Sequence, residues 1–203
     1  DARAQQLERD EEPDELAHRM AAIRETLEET GLAVGLRGTI DAALARDARA
    51  ELLKHGALAP VLDRFDWTID RDAIIPFARW LPLGMAHSRI FDTRFYLADL
   101  GTGAVDVEVD ATENTQLFWV SAKGALAMAQ REEIALIFPT RRNLARLALF
   151  GDFAAARAHA EATPVRIITP QVDESGAAPV LRIPEDAGYP IVSEMLDRAM
   201  RGD

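Results

Sequence analysis

The sequence predicts a mixed α/β fold in a single domain spanning 1–203. Three observations carry that expectation. Apolar residues recur at helical spacing in several stretches, shorter runs rich in aromatic and β-branched residues fall between them, and no internal repeat or low-complexity linker divides the chain.

Residues 1–13 are polar and acidic with little periodicity and are expected to be flexible. Glu11, Glu12, Pro13 and Asp14 then mark a helix start, with acids near the positive end of its dipole. Leu16, Met20, Ile23 and Leu27 follow at spacings of four, three and four, which is one face of a helix. Gly31 is the expected stop, because glycine takes the left-handed conformation at little cost. A second helix is read over 41–55. The runs at 73–81 and 93–100, separated by Pro82, Gly84 and polar residues, read as paired strands, and 105–109 alternates apolar with acidic residues as another short strand. Residues 118–120 read as a strand end and Ser121 as the N-cap of a helix through Arg131. Further helices are expected over 141–150 and 153–162, broken at Gly151. Segments 165–169 and 180–183 flank the turn residues Asp173, Glu174, Ser175 and Gly176, and a last helix is read over 191–200. Region 163–203 is therefore expected to form a C-terminal hairpin and helix.

With 203 residues and a hydrophobic fraction of 48%, the chain has enough apolar material for a full core. Its 23 basic and 34 acidic side chains leave a net charge of −11 with no basic run, the opposite of what binding a nucleic-acid backbone requires. No stretch approaches the ~18 to 20 apolar residues of a membrane span, so no membrane partner is expected. No signal peptide is read, and Arg201-Gly202-Asp203 is not a peroxisomal address, so the default location is the cytoplasm. Cysteine is absent, which excludes disulfides, thiolate metal sites and cysteine nucleophiles. Serine-hydrolase elbows, P-loops and dinucleotide fingerprints are absent too, and Gly101-Thr102-Gly103 reads as a turn between strands.

The most informative stretch is Arg24 to Leu32. At roughly 100° per residue, Glu25, Glu28 and Glu29 share an arc of about 100°, opposite the apolar stripe. Carboxylates three and four positions apart repel each other, so the face is slightly unfavourable unless something positive sits there. A hard divalent cation suits such oxygens, although from the spacing alone a plain solvated face is the commoner reading.

This stretch resembles the C-terminal half of the Nudix box, G-x5-E-x7-R-E-U-x-E-E-x-G-U with U aliphatic, at Arg24, Glu25, Glu28, Glu29, Gly31 and Leu32. Leu16 stands where the first glutamate of the box belongs and Asp10 where its glycine belongs, and the F-P-G-G segment usual before this helix is not present, so the N-terminal part of the fold is expected to be missing. Trp80-Leu81-Pro82, Arg89 to Leu97, Glu113 with Trp119, Pro139 to Leu144, Leu181 to Pro184 and Gly188-Tyr189-Pro190 resemble the branch that contains the peroxisomal coenzyme A diphosphatase and its bacterial relatives.

The resemblance implies a Nudix-type α/β/α sandwich with a mixed sheet. It implies magnesium- or manganese-dependent hydrolysis of a nucleoside diphosphate linked to another moiety, with coenzyme A or acyl-coenzyme A as leading substrate and ADP-ribose as a rival. A Nudix-fold module that binds such a ligand without cleaving it is the alternative from a different class. Glu25, Glu28 and Glu29 would be metal ligands, with Arg24 orienting a carboxylate. Glu113 would be a further ligand or the base, and Glu25 and Glu29 would share the catalytic work. Arg89 and Arg141 would contact substrate phosphate. The partner implied is thus a small nucleotide-diphosphate substrate; the sequence leaves the oligomeric state open, a homodimer included.

Overall fold

The computed structural model describes residues 13–83, 90–100 and 118–200. The expected strand at 105–109, together with Arg89 and Glu113, lies outside the described residues. Two compact units result, one formed by residues 1–74 and 98–118 and the other by 75–97 and 119–203.

In the first unit, α1 (Pro13–Thr30) carries the acidic motif. Ile23 and Leu27 are buried as the apolar stripe requires, whereas Met20, at 39% exposure, stands at its margin. Gly31 ends the helix as expected: its φ is +73° and its N–H donates to the Leu27 carbonyl at 3.0 Å. No basic residue occupies the last turn of α1. That charge arrives instead from α2 (Ala42–His55), whose Arg49 donates from Nε to the Glu28 carbonyl at 2.8 Å and from Nη2 to the Glu29 carbonyl at 3.3 Å. Asp41 caps α2 by accepting from the Leu44 N–H. A helix not expected from the sequence, α3 (Leu58–Phe65), packs on α2 through Leu58 and Val61. A short antiparallel pair, β1 (Leu36–Arg37) with β2 (Thr68–Ile69), completes this unit.

The second unit is built on a mixed sheet of order β4-β3-β5. Strand β3 (Ile75–Trp80) pairs antiparallel with β4 (Thr93–Leu97), as the sequence predicts, and parallel with β5 (Ile167–Ile168). The register slips between Pro76 and Ala78, so Phe77 is an extra residue in β3. The bulge lets Ile75, Phe77, Ala78 and Trp80 all reach the core, where Phe138, Ala160, Ile168, Leu181 and Tyr189 meet them. Helices α4 (Ala122–Gln130), α5 (Phe138–Leu147) and α6 (Phe153–Ala162) follow. Ser121 caps α4 as expected, accepting from the Gly124 N–H at 3.0 Å. Helix α5 starts three residues before the expected 141 because Pro139 is already set for a first helical turn.

Three expectations are corrected. Residues 118–120 are exposed and carry no strand. The late hairpin is two structures: 167–168 joins β3, and β6 (Gln171–Asp173) pairs with β7 (Val180–Arg182) across the turn. Pro170 separates the two segments, and a proline cannot donate to a continuing ladder. Finally, 191–200 is not one helix. It holds strand β8 (Ser193–Met195), antiparallel to β7, and only then α7 (Leu196–Ala199). In the β6–β7 turn, Asp173 accepts from the Ser175 hydroxyl and N–H and from Arg182, which holds its carboxyl down at about 2. Among the described residues no helix is long and apolar enough to cross a membrane.

Candidate metal centre

The site begins with the face of α1 turned away from Ile23 and Leu27. Arg24 reaches along it to two of the acids that follow. Its Nη1 donates to Oε2 of Glu28, one turn on, at 2.5 Å, and its Nη2 donates to Oε1 of Glu25 at 3.0 Å. A single guanidinium therefore draws two of the motif's carboxylates together and offsets part of their mutual repulsion. Glu25 is 57% exposed at the side chain and Glu28 31%, so screening by water keeps the energetic value of both pairs small. Their arrangement matters more than their strength.

Below this face, the backbone is held independently. Arg49 binds the carbonyls of Glu28 and Glu29, and the Thr30 hydroxyl donates to the Thr26 carbonyl at 2.6 Å. The last turn of α1, which carries the acids, is thereby fixed by α2 and by its own C-terminal side chains. Arg49 was not singled out in the sequence; its one signal is the missing basic residue in that last turn.

The donor set of Glu25, Glu28 and Glu29 offers carboxylate oxygens alone, the chemistry that magnesium and manganese take. Among the described residues no three acidic or histidine side chains are gathered closely enough to hold a cation together. Glu25 and Glu28 are instead turned to Arg24. The donor chemistry fits a hard cation, and Arg24 occupies one oxygen of each of these two carboxylates.

Arg141, expected at substrate, lies on α5 in the second unit. It donates to Oε1 of Glu194 at 2.8 Å, to the Leu136 carbonyl at 2.9 Å and to the Arg198 carbonyl at 3.4 Å. Trp80, Asn143 and Tyr189, from three of the stretches with a branch resemblance, meet in the core of that unit. The Trp80 indole donates to the Tyr189 hydroxyl at 3.1 Å, which donates to Oδ1 of Asn143 at 2.6 Å. Trp80 is 1% exposed and stands edge-on to both Phe138 and Tyr189. Arg146, at 2% exposure, donates to the Phe77 carbonyl at 2.8 Å and to Nε2 of His159 at 3.0 Å. Burial holds the Arg146 guanidinium below its ordinary range and raises the Tyr189 phenol.

This chain is similar to a Nudix hydrolase from Alicyclobacillus acidocaldarius, known from its crystal structure. The match has a TM-score of 0.65 and 27% sequence identity and covers 73% of this chain and 68% of that one. No family model and no curated protein matches the chain. The mixed α/β architecture, with helices and a mixed sheet, is thus similar to a Nudix fold, and the protein it resembles is an enzyme of that family.

Proposed function

We propose that the chain hydrolyses the diphosphate bond of a nucleoside diphosphate joined to a second moiety, with coenzyme A or an acyl-coenzyme A as the leading substrate. Hydrolysis of the latter gives 3′,5′-ADP and an (acyl-)phosphopantetheine. The observation that carries the reading is the pair Glu25 and Glu28 joined by the Arg24 guanidinium on α1, at the spacing of the Nudix box, in a chain similar to a Nudix hydrolase.

Glu25, Glu28 and Glu29 would hold a magnesium or manganese ion, which when bound supplies charge to offset the diphosphate oxygens and to acidify a water. Arg24 holds Glu25 and Glu28 side by side through its two charge-assisted bonds. Arg49 keeps the backbone of that turn from following the side chains. Glu113 is the proposed base that takes the proton from the attacking water, and Arg89 the proposed contact for substrate phosphate. The attack forms a phosphorus–oxygen bond from water and breaks the bridging phosphorus–oxygen bond, leaving two phosphate monoesters.

The test is a panel of diphosphate conjugates, coenzyme A, acyl-coenzyme A and ADP-ribose among them, incubated with the protein and magnesium or manganese, with products identified by mass. Appearance of 3′,5′-ADP supports the proposal. Binding of a conjugate without any cleavage would replace it with a ligand-binding module.

A further inference from the structure

Helix α5 begins with the wrong charges. The N-terminus of a helix is its positive end and favours an anion. Yet its first turns carry Arg141 and Arg142, no acidic residue lies in the first turn, and Ile137 before it supplies no capping oxygen. The opening N–H groups of a helix have no partner within it.

Arg142 compounds the excess. Its side chain is 6% exposed, and it folds back along the helix until its guanidinium carbon lies 5.3 Å from the ring centroid of Phe138, the first residue of α5. Its Nη2 donates to Oε2 of Glu194 at 3.3 Å. Its Nε and Nη1 are buried with no hydrogen-bond partner among the described residues. Glu194, itself 7% exposed, also binds Arg141 at 2.8 Å and Arg198 at 3.1 Å, so one carboxylate serves three guanidiniums. A guanidinium cannot shed its charge to escape such a setting, and donors buried on it without an acceptor are costly.

We propose that the N-terminus of α5 and the buried guanidinium of Arg142 form a binding site for a small phosphate-type oxyanion. Such an ion brings several acceptor oxygens to one place, enough to meet the donors left on Arg142 together with the N–H groups of Phe138 and Thr140, Pro139 between them having none. Arg198, 65% exposed at the side chain, marks the solvent side of the cluster and so the direction from which an ion arrives. The overall charge of −11 repels anions, so uptake of phosphate requires a local site of this kind. The site lies wholly within the second unit and does not depend on the reaction proposed above.

The experiment titrates inorganic phosphate against the thermal midpoint of the full chain at fixed ionic strength, with chloride as the balancing ion. The wild type is compared with Arg142→Gln and with Arg166→Gln, which removes an exposed arginine paired with Asp186. The expected result is a midpoint that rises with the logarithm of phosphate concentration in the wild type and in Arg166→Gln, and that stays flat in Arg142→Gln. Should Arg142→Gln fail to fold, the arginine Nε–H resonances of the wild type are followed by NMR. One slowly exchanging signal should shift on addition of phosphate. No phosphate-specific rise in the wild type, an equal rise in Arg142→Gln, or unmoved Nε–H signals overturn the site.

Discussion

Replacing Arg146 with methionine isolates the price of the bulge in β3. Phe77 has no partner in the register with β4, and its carbonyl is bound by Nη1 of Arg146 at 2.8 Å. Its ring lies 4.1 Å from the same guanidinium. Methionine keeps most of the apolar stem and fits the same channel. It cannot serve the carbonyl, and a buried acceptor left unmet costs about 1–3 kcal/mol. Loss of the cation–ring contact adds roughly 1–2 kcal/mol. Against these stands the relief of no longer burying a charge, which burial already shows by lowering the Arg146 guanidinium. The balance is a destabilisation of about 2–3 kcal/mol, or roughly 5–10 °C in midpoint for a chain of this size. Urea unfolding followed by tryptophan fluorescence measures it, since Trp80 is in the same network, and the slope against urea should stay unchanged. A methionine variant as stable as the wild type, or more so, would refute the reasoning, because burial of the charge would then outweigh everything the guanidinium binds.

Further outcomes follow from the same geometry. Burial first, and the nearby Arg146 second, hold the His159 imidazole below its ordinary value, against a hydrogen bond to the Gly188 backbone. The unfolded chain therefore takes up this proton first. Stability should be full above about pH 6.5 and fall as pH drops through the folded value, and His159→Gln should flatten that part of the pH profile. Gly188→Ala should cost about 1–3 kcal/mol, because φ is +78° and a Cβ there would meet Thr163 Cγ2 at 2.9 Å and His159 Nε2 at 3.3 Å; a change under about 0.5 kcal/mol would contradict the packing seen. Magnesium should raise the thermal midpoint of the wild type and not that of Glu28→Gln, as read by a metal titration. Glu28→Gln and Glu29→Gln should each slow turnover by orders of magnitude while the unfolding midpoint without metal hardly moves, and equal losses of both would assign these acids to the fold instead.

What the sequence made legible divides along the range of the interactions. Helix α1 could be placed because its pattern is local: Ile23 and Leu27 are buried, Gly31 stops it, and the acids fall opposite. Ser121 was equally readable, since a cap needs only the next three residues. The parallel pairing of Ile167 and Ile168 with Arg79 and Trp80 was not, because nothing in a two-residue strand names a partner almost ninety positions away. The same holds for β8, whose apolar spacing passes for a helix until β7 lies beside it. Helix α3 escaped notice because it is eight residues long with Pro60 in its first turn. At the candidate site, the glutamates and Arg24 were legible as a motif, whereas Arg49, on another helix, was not.

The stretches that resemble the coenzyme A diphosphatase branch carry a different kind of information from the acidic motif. Trp80, Asn143 and Tyr189 come from three of those stretches, and they form one buried chain of hydrogen bonds in the second unit. The Trp80 N–H and the Tyr189 hydroxyl each find their acceptor in another segment, so changing one residue leaves a buried group unmet in its neighbour. Such residues are constrained together by packing, whatever substrate is bound. Glu25 is exposed and Glu28 half-buried, and their side chains meet at Arg24 instead of in the core. Two carboxylates held side by side in water gain little stability from that arrangement. The proposed chemistry at α1 would give them a role that packing does not, whereas the buried chain of the second unit belongs to the architecture. Substrate choice then has to be sought in side chains that the core does not already claim.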